Sequence, residues 1–284
     1  MGEEKLAPAK SANYLNTVLN AFHHVHGGDR FPVDVEKLAL GVHEIFKWSD
    51  PITQIKRADI KGFEGMLASN DDKSKWMIAY NSSLTSEGRI RFTKAHELGH
   101  YILHRQHKNS FMCSKDDMLD WQGANIESDA DKFASYLLMP LDDFRVQVNA
   151  PVDLDLLSHC ADRYGVSLTA AILKWLSYTE EKAVLVMSND GFINWASSSD
   201  PAFRSGAFFK TKGKVIPLPE EALAADESIR RIANGEKIQA KKWFPYADSD
   251  ADLTEMKMYS EQYDSTLTLL ILPKYADFWP PKSI

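Results

Sequence analysis

The segment His96-Glu97-Leu98-Gly99-His100 puts two imidazoles and a carboxylate within five residues. On a helix, histidines four apart share one face, one turn from each other. Imidazoles spaced this way can close on one zinc ion at about 2.0–2.1 Å each. Zinc lowers the pKa of a water in an open coordination position to about 7, and Glu97 stands where it can take that water's proton. The chemistry predicted is hydrolysis. The alternative is a surface helix that carries two histidines and a glutamate by chance. The flanks oppose it, because Ile90, Phe92, Ala95, Leu98, Ile102 and Leu103 supply apolar positions that would bury this helix. Gly99 in a helix interior costs about 1 kcal/mol relative to alanine, which points to a close approach by another element.

A third protein ligand is needed. His104 continues the spacing of His96 and His100, but eight residues span about 12 Å of helix rise, too far for His96 and His104 to meet at one ion. His104 is expected to pack or hydrogen-bond behind the site. A second element is therefore expected to supply the ligand. The apolar-periodic segment from about Ile126 to Leu138 carries Glu127 and, one turn later, Asp131. Glu127 can bind zinc while Asp131 orients a ligand histidine through its other ring nitrogen. The alternative keeps both as a solvated charged stripe, the commoner fate of helical carboxylates. Asp129 is expected to point away into solvent.

Two separated stretches carry a family resemblance. One is Arg91-Phe92-Thr93-Lys94-Ala95-His96-Glu97-Leu98-Gly99-His100-Tyr101-Ile102-Leu103-His104. The other is Glu127-Ser128-Asp129-Ala130-Asp131-Lys132-Phe133-Ala134 with Leu137-Leu138-Met139-Pro140. Together with Pro32-Val33-Asp34-Val35-Glu36-Lys37-Leu38-Ala39 and Ile78-Ala79-Tyr80-Asn81, they resemble the ImmA/IrrE metallopeptidase family over roughly residues 11 to 178. The resemblance implies a zincin-like fold and a gluzincin-like zinc endopeptidase. It makes His96, His100 and Glu127 the metal ligands and Glu97 the general base. It also implies a helix-turn-helix transcriptional repressor as substrate, cleaved to derepress mobile-element or stress-response genes.

The elements that must position these groups follow from periodicity. A polar tail is expected to about residue 10. A helix is expected from Ser11, through Leu15, Val18, Leu19, Phe22 and Val25, to the stop at Gly27-Gly28. Pro32 is expected to open a short second helix. Strands are predicted over 63–68 and 76–80, and the motif helix from near 86–89 to about 106. A polar linker is expected from 107 to 125, and helices near 154–164 and 168–178. Ala183 to Ser188, Asn189-Asp190-Gly191 and Phe192 to Ala196 form a strong hairpin signal. Beyond it a helix is predicted near 219–234, and strands at 238–244, 253–260 and 266–272. The fold class expected is α+β: a zincin-like metallopeptidase domain with a helical extension over 1–179, then a smaller α+β domain over 180–284, GAF- or PAS-like in outline. Phe192, Trp195, Phe203, Phe208, Phe209, Trp243 and Phe244 read as core of that domain first and as a ligand pocket second.

The 284 residues are 44% hydrophobic and 26% charged, enough to form a core without disulfides. A net charge of −7 argues against nucleic-acid binding by bulk electrostatics. Cys113 and Cys160 stand in unrelated contexts and read as inert thiols in a reducing compartment. No apolar h-region follows Met1, and no run is long enough to span a bilayer, so a cytoplasmic protein without membrane contact is expected. His23, His24 and His26 read as solvated helix-end residues. Asp248, Asp250 and Asp252 suggest a calcium loop, but Leu253 stands where glycine is required and Tyr259 where a bidentate glutamate is. The helices flanking Gly165 suggest a helix-turn-helix, but Leu168 to Trp175 holds one lysine and no arginine, a poor reader of bases. They are expected to pack on the catalytic domain.

The competing functions are a site-specific endopeptidase, a non-proteolytic zinc-binding regulator of antitoxin type, and another metal-dependent hydrolase. A purely structural metal site has no need of Glu97. The C-terminal domain is expected to receive a small-molecule or protein signal.

Overall fold

The computed structural model describes residues 7–113 and 121–280, with the backbone alone for 112–113 and 121–124. Helices α1 (Pro8–His26) and α2 (Val35–Phe46) come first. Then follow strands β1 (Ile52–Ala58), β2 (Gly65–Ser69) and β3 (Trp76–Asn81), helix α3 (Glu87–His104), strand β4 (Ser110–Cys113), and helices α4 (Trp121–Leu138) and α5 (Leu141–Gln147). Helices α6 (Leu154–Tyr164) and α7 (Leu168–Leu176) lead to strands β5 (Ala183–Asn189) and β6 (Phe192–Ser198) and helix α8 (Asp200–Arg204). Strands β7 (Arg231–Gln239), β8 (Asp252–Ser260) and β9 (Ser265–Ile271) close the sequence of elements. The fold is α+β with two sheets.

The backbone groups into two compact units, Met1–Gln147 with Cys160–Ser167, and Val148–His159 with Leu168–Ile284. In the first, the sheet runs β1-β3-β2-β4. Strand β1 pairs parallel to β3, while β2 pairs antiparallel to β3 and β4. Helix α3 lies against β2 and β3 on one side and α4 on the other. Every residue from Ala95 to Ile102 is buried, as expected of a helix covered all round. Ser86 caps its start by accepting a hydrogen bond from the Arg89 amide. Helix α1 braces α4 from behind, with the Asn16 side-chain amide donating to the Tyr136 carbonyl at 2.9 Å.

In the second unit, five antiparallel strands run β6-β5-β9-β8-β7. Val184, Val186, Leu253 and Leu270 on one face of this sheet share a core with Trp243, Phe244 and Phe278.

Several expectations are corrected. The polar tail ends earlier than residue 10, since α1 begins at Pro8 and already buries Ser11 and Ala12. Helix α2 starts at Val35, where the Asp34 side chain accepts from the Lys37 amide, rather than at Pro32. The supposed linker 107–125 contains β4 and the first residues of α4. Strand β1 and helices α5 and α8 had no prediction. No helix spans 219–234; a single 3-10 turn at Leu223–Ala225 and the start of β7 occupy it. The strand expected at 238–244 is that same β7, which ends at Gln239. Helix α7 packs against β5 and β6 of its own unit. Among the described residues no helix is long and apolar enough to cross a membrane.

Candidate metal centre

The site is built where α3 crosses α4. A Cβ on Gly99 would stand 3.2 Å from the Ala130 Cα and 3.0 Å from Phe133 Cδ1. The glycine expected to admit a close neighbour does so, and the neighbour is the backbone of α4. That approach sets Glu127 and Asp131 beside the two motif histidines.

His96 Nε2 lies 3.0 Å from His100 Nε2 and 3.1 Å from Glu127 Oε2. His100 Nε2 is 3.3 Å from Glu127 Oε1. Four ligands around one zinc at about 2.0–2.1 Å place neighbouring donor atoms about 3.3–3.4 Å apart, and these separations, with the Glu127 carboxylate spanning both histidines through its two oxygens, come close to that spacing. The donor set also fits by tautomer. His96 Nδ1 faces Asp131 Oδ1 at 2.9 Å; a carboxylate only accepts, so Nδ1 carries the proton and Nε2 turns its lone pair inward. His100 Nδ1 faces His104 Nδ1 at 3.2 Å. If His100 is the donor there, its Nε2 lone pair also points inward. Two imidazole nitrogens and a carboxylate suit zinc.

Burial and mutual hydrogen bonding shift the ionisation of all three groups. Burial opposes a charge on His96, but hydrogen bonds to Asp131 and Glu127 and the nearby Glu97 outweigh it, and its pKa is pushed up to about 10. Burial holds His100 below the ordinary histidine value, only partly offset by Glu127. Burial alone would raise Glu127, yet hydrogen bonds to His100 and His96 hold it well below the usual carboxylate range.

The rest of the site shows what periodicity missed. His104 sits behind His100, as reasoned from helix rise. Its Nε2 comes within 4.0 Å of Asp129 Oδ2, so Asp129 does not point away into solvent, and that expectation is corrected. The signal was present: Asp129 stands four residues before Phe133 and eight before Leu137, on the face that α4 buries. Phe111 from β4 stacks on the His100 ring, centroids 4.8 Å apart and planes 15° apart. Nothing in its spacing marked Phe111, because β4 is placed by pairing with β2. Glu97 is fully buried beneath β2. Cys160 is buried, and burial pushes its thiol up to about 11, consistent with an inert role. The side chain of Cys113 lies outside the described residues.

Residues 50–176 match the family model for the IrrE N-terminal-like domain, Peptidase_M78. The segment is similar to IrrE N-terminal-like domains. The match contains both motif stretches that carried the resemblance and belongs to a metallopeptidase family. It begins after Pro32 to Ala39, so that stretch lies outside the matched domain. No protein of curated function matches the chain in sequence. Among solved structures, a Mycobacterium tuberculosis transcriptional regulator matches with a TM-score of 0.52 and 13% identity, over 94% of this chain and 82% of that one. At that identity the likeness is one of fold. The matched segment contains the whole candidate metal centre, from Gly65 through Asp131.

Proposed function

We propose that the protein is a zinc-dependent endopeptidase of the HExxH, gluzincin-like kind, with His96, His100 and Glu127 as zinc ligands and Glu97 as general base. The observation that carries this reading is the 3.0–3.3 Å triangle of His96 Nε2, His100 Nε2 and the Glu127 carboxylate, with Glu97 buried beside it. Zinc held there would supply a water of lowered pKa and an electrophile for the scissile carbonyl. Glu97 would accept a proton from that water and carry it to the leaving amine. Asp131 fixes the His96 ring from the far nitrogen, and His104 does the same for His100.

The substrate we infer is a helix-turn-helix transcriptional repressor, whose cleavage would derepress mobile-element or stress-response genes in the cytoplasm. The IrrE N-terminal-like match supports this, and the solved neighbour described as a transcriptional regulator accords with it. Within the proposal, residues 1–179 are the zincin-like peptidase and 180–284 a regulatory domain, GAF- or PAS-like in outline. A five-stranded antiparallel sheet supports that outline. A cavity of about 490 Å³, bordered by Ser188, Arg230, Lys257, Tyr259, Asp264 and Thr266, offers room for a small signal molecule. None of the seven aromatic residues singled out in the sequence borders it; Trp243 and Phe244 are core instead.

The test is cleavage of a cognate repressor by the zinc-loaded protein and by Glu97→Gln. A single cut that disappears in Glu97→Gln, with zinc retained, is the expected result. Rapid digestion of casein into many fragments, or undiminished cleavage by Glu97→Gln, would remove the proposal.

A further inference from the structure

Strand β2 opens on Gly65, directly over Glu97. A Cβ there would stand 2.6 Å from Thr93 Cγ2 and 3.1 Å from Glu97 Cδ, and closer still to Glu97 Oε1. Ordinary contact between such atoms is about 3.5–4.0 Å. The strand cannot retreat, because β2 lies inside the sheet with Gly65 opposite Tyr80 on β3 and Cys113 on β4. Nor does the backbone need glycine for its own sake. Gly65 has no left-handed φ and sits in regular strand, where glycine weakens pairing and usually marks a close approach.

Gly65 differs in this from Gly99. The missing Cβ of Gly99 faces the Ala130 Cα, so it sets the distance between two helices. The missing Cβ of Gly65 faces the ends of two side chains. A methyl group at Gly65 therefore displaces first a carboxylate and a threonine methyl.

We propose that Gly65 is a positioning residue for Glu97: by leaving out a Cβ it provides the space that holds the carboxylate directed at the metal centre. The proposal rests on the reading of Glu97 as the base, and the experiment separates the two. Gly65→Ala, Glu97→Gln and the double variant are prepared as full chains, loaded with Co(II), and titrated with acetohydroxamate while the visible spectrum is followed. Acetohydroxamate chelates the metal and directs its hydroxyl at a neighbouring carboxylate, so its affinity reports where that carboxylate stands.

Each single variant should keep one metal per chain and bind acetohydroxamate at least about tenfold more weakly than the native chain. The double variant should be no weaker than Glu97→Gln. A crystal structure of metal-free Gly65→Ala should show the Glu97 carboxylate turned from its native position, with β2 in place. Native affinity in Gly65→Ala with reduced affinity in Glu97→Gln would overturn the positioning role and leave the base intact. Native affinity in Glu97→Gln would instead sink the reading of Glu97. Loss of metal from Gly65→Ala, or an unmoved Glu97 in its crystal structure, would reduce Gly65 to a packing residue and overturn the proposal.

Discussion

The Asp131 carboxylate meets His96 Nδ1 at 2.9 Å while Glu127, one turn earlier on α4, meets His96 Nε2 at 3.1 Å. One imidazole is thus held at both nitrogens by two carboxylates of a single helix. The two contacts differ in exposure, since Glu127 is 25% exposed and Asp131 59%. On the proposed reading the inner carboxylate ligates and the outer one orients.

That division predicts graded losses. Glu127→Ala removes a donor atom of the triangle and should abolish stoichiometric zinc binding at micromolar metal. Asp131→Asn leaves the triangle intact and should weaken affinity by about 10–100-fold, the usual effect of an orienting partner. Competition with a chromophoric chelator measures both. Equal losses in the two variants would contradict the assignment.

His104→Ala should leave one zinc per chain, because His104 meets His100 at Nδ1 and not at the Nε2 of the triangle. Affinity should fall within the same range of about 10–100-fold. Elemental analysis of the purified variant checks the stoichiometry, and an empty variant would make His104 a ligand.

Gly99→Val should push α4 away from α3, because the atoms in its path include the Ala130 Cα. Overpacking of this kind costs about 1–3 kcal/mol, and the displacement carries Glu127 with it. The expected result is a lower thermal midpoint together with weakened zinc binding. A variant as stable as the native chain that still binds zinc tightly would show that this crossing does not position the ligand.

Asp143 gives a pH-dependent contribution away from the metal. Burial would raise its pKa, but the hydrogen bonds from Arg163 at 2.8–2.9 Å and from Tyr164 at 2.6 Å outweigh that and lower it. A carboxylate with a depressed folded-state pKa stabilises the fold above its unfolded value near 4, and the contribution is lost as pH falls through the folded value. Asp143→Asn should cost about 1 kcal/mol near pH 7 for this partly exposed pair. The deficit should vanish toward pH 2, as followed by urea denaturation at several pH values. A deficit that did not change with pH would point to packing alone.

A chain ending at Thr179 should retain zinc binding, since every candidate ligand lies in the first unit. It should also lose solubility. Ile172, Trp175 and Leu176 on α7 are buried in the whole protein, and α7 packs on β5 and β6. Light scattering and zinc content of the truncated protein test both parts. A soluble truncation without zinc would tie the second half of the chain to the metal site.

What the sequence determined by itself is everything that depends on spacing along one element. His96 and His100 share a helical face because they are four apart, Glu127 and Asp131 for the same reason, and His104 is excluded by helix rise. The hairpin at Asn189-Asp190-Gly191 was equally local, and Asp190 and Gly191 both adopt the positive φ its turn demands. The tertiary structure alone decided what depends on partners distant in the chain. Residues Arg231–Gln239 contain alanine, glutamate, lysine and arginine, which suit a helix locally. They form β7 because β8 supplies a ladder, with a register shift between Ile232 and Glu236 where Gly235 turns. Strands β1 and β4 are fixed by pairing in the same way. Asp129 behind His104, Phe111 on His100 and the space at Gly65 became visible only when separate elements came together. Periodicity reports the direction a side chain leaves its own helix or strand, and it carries no information about which element stands in its path.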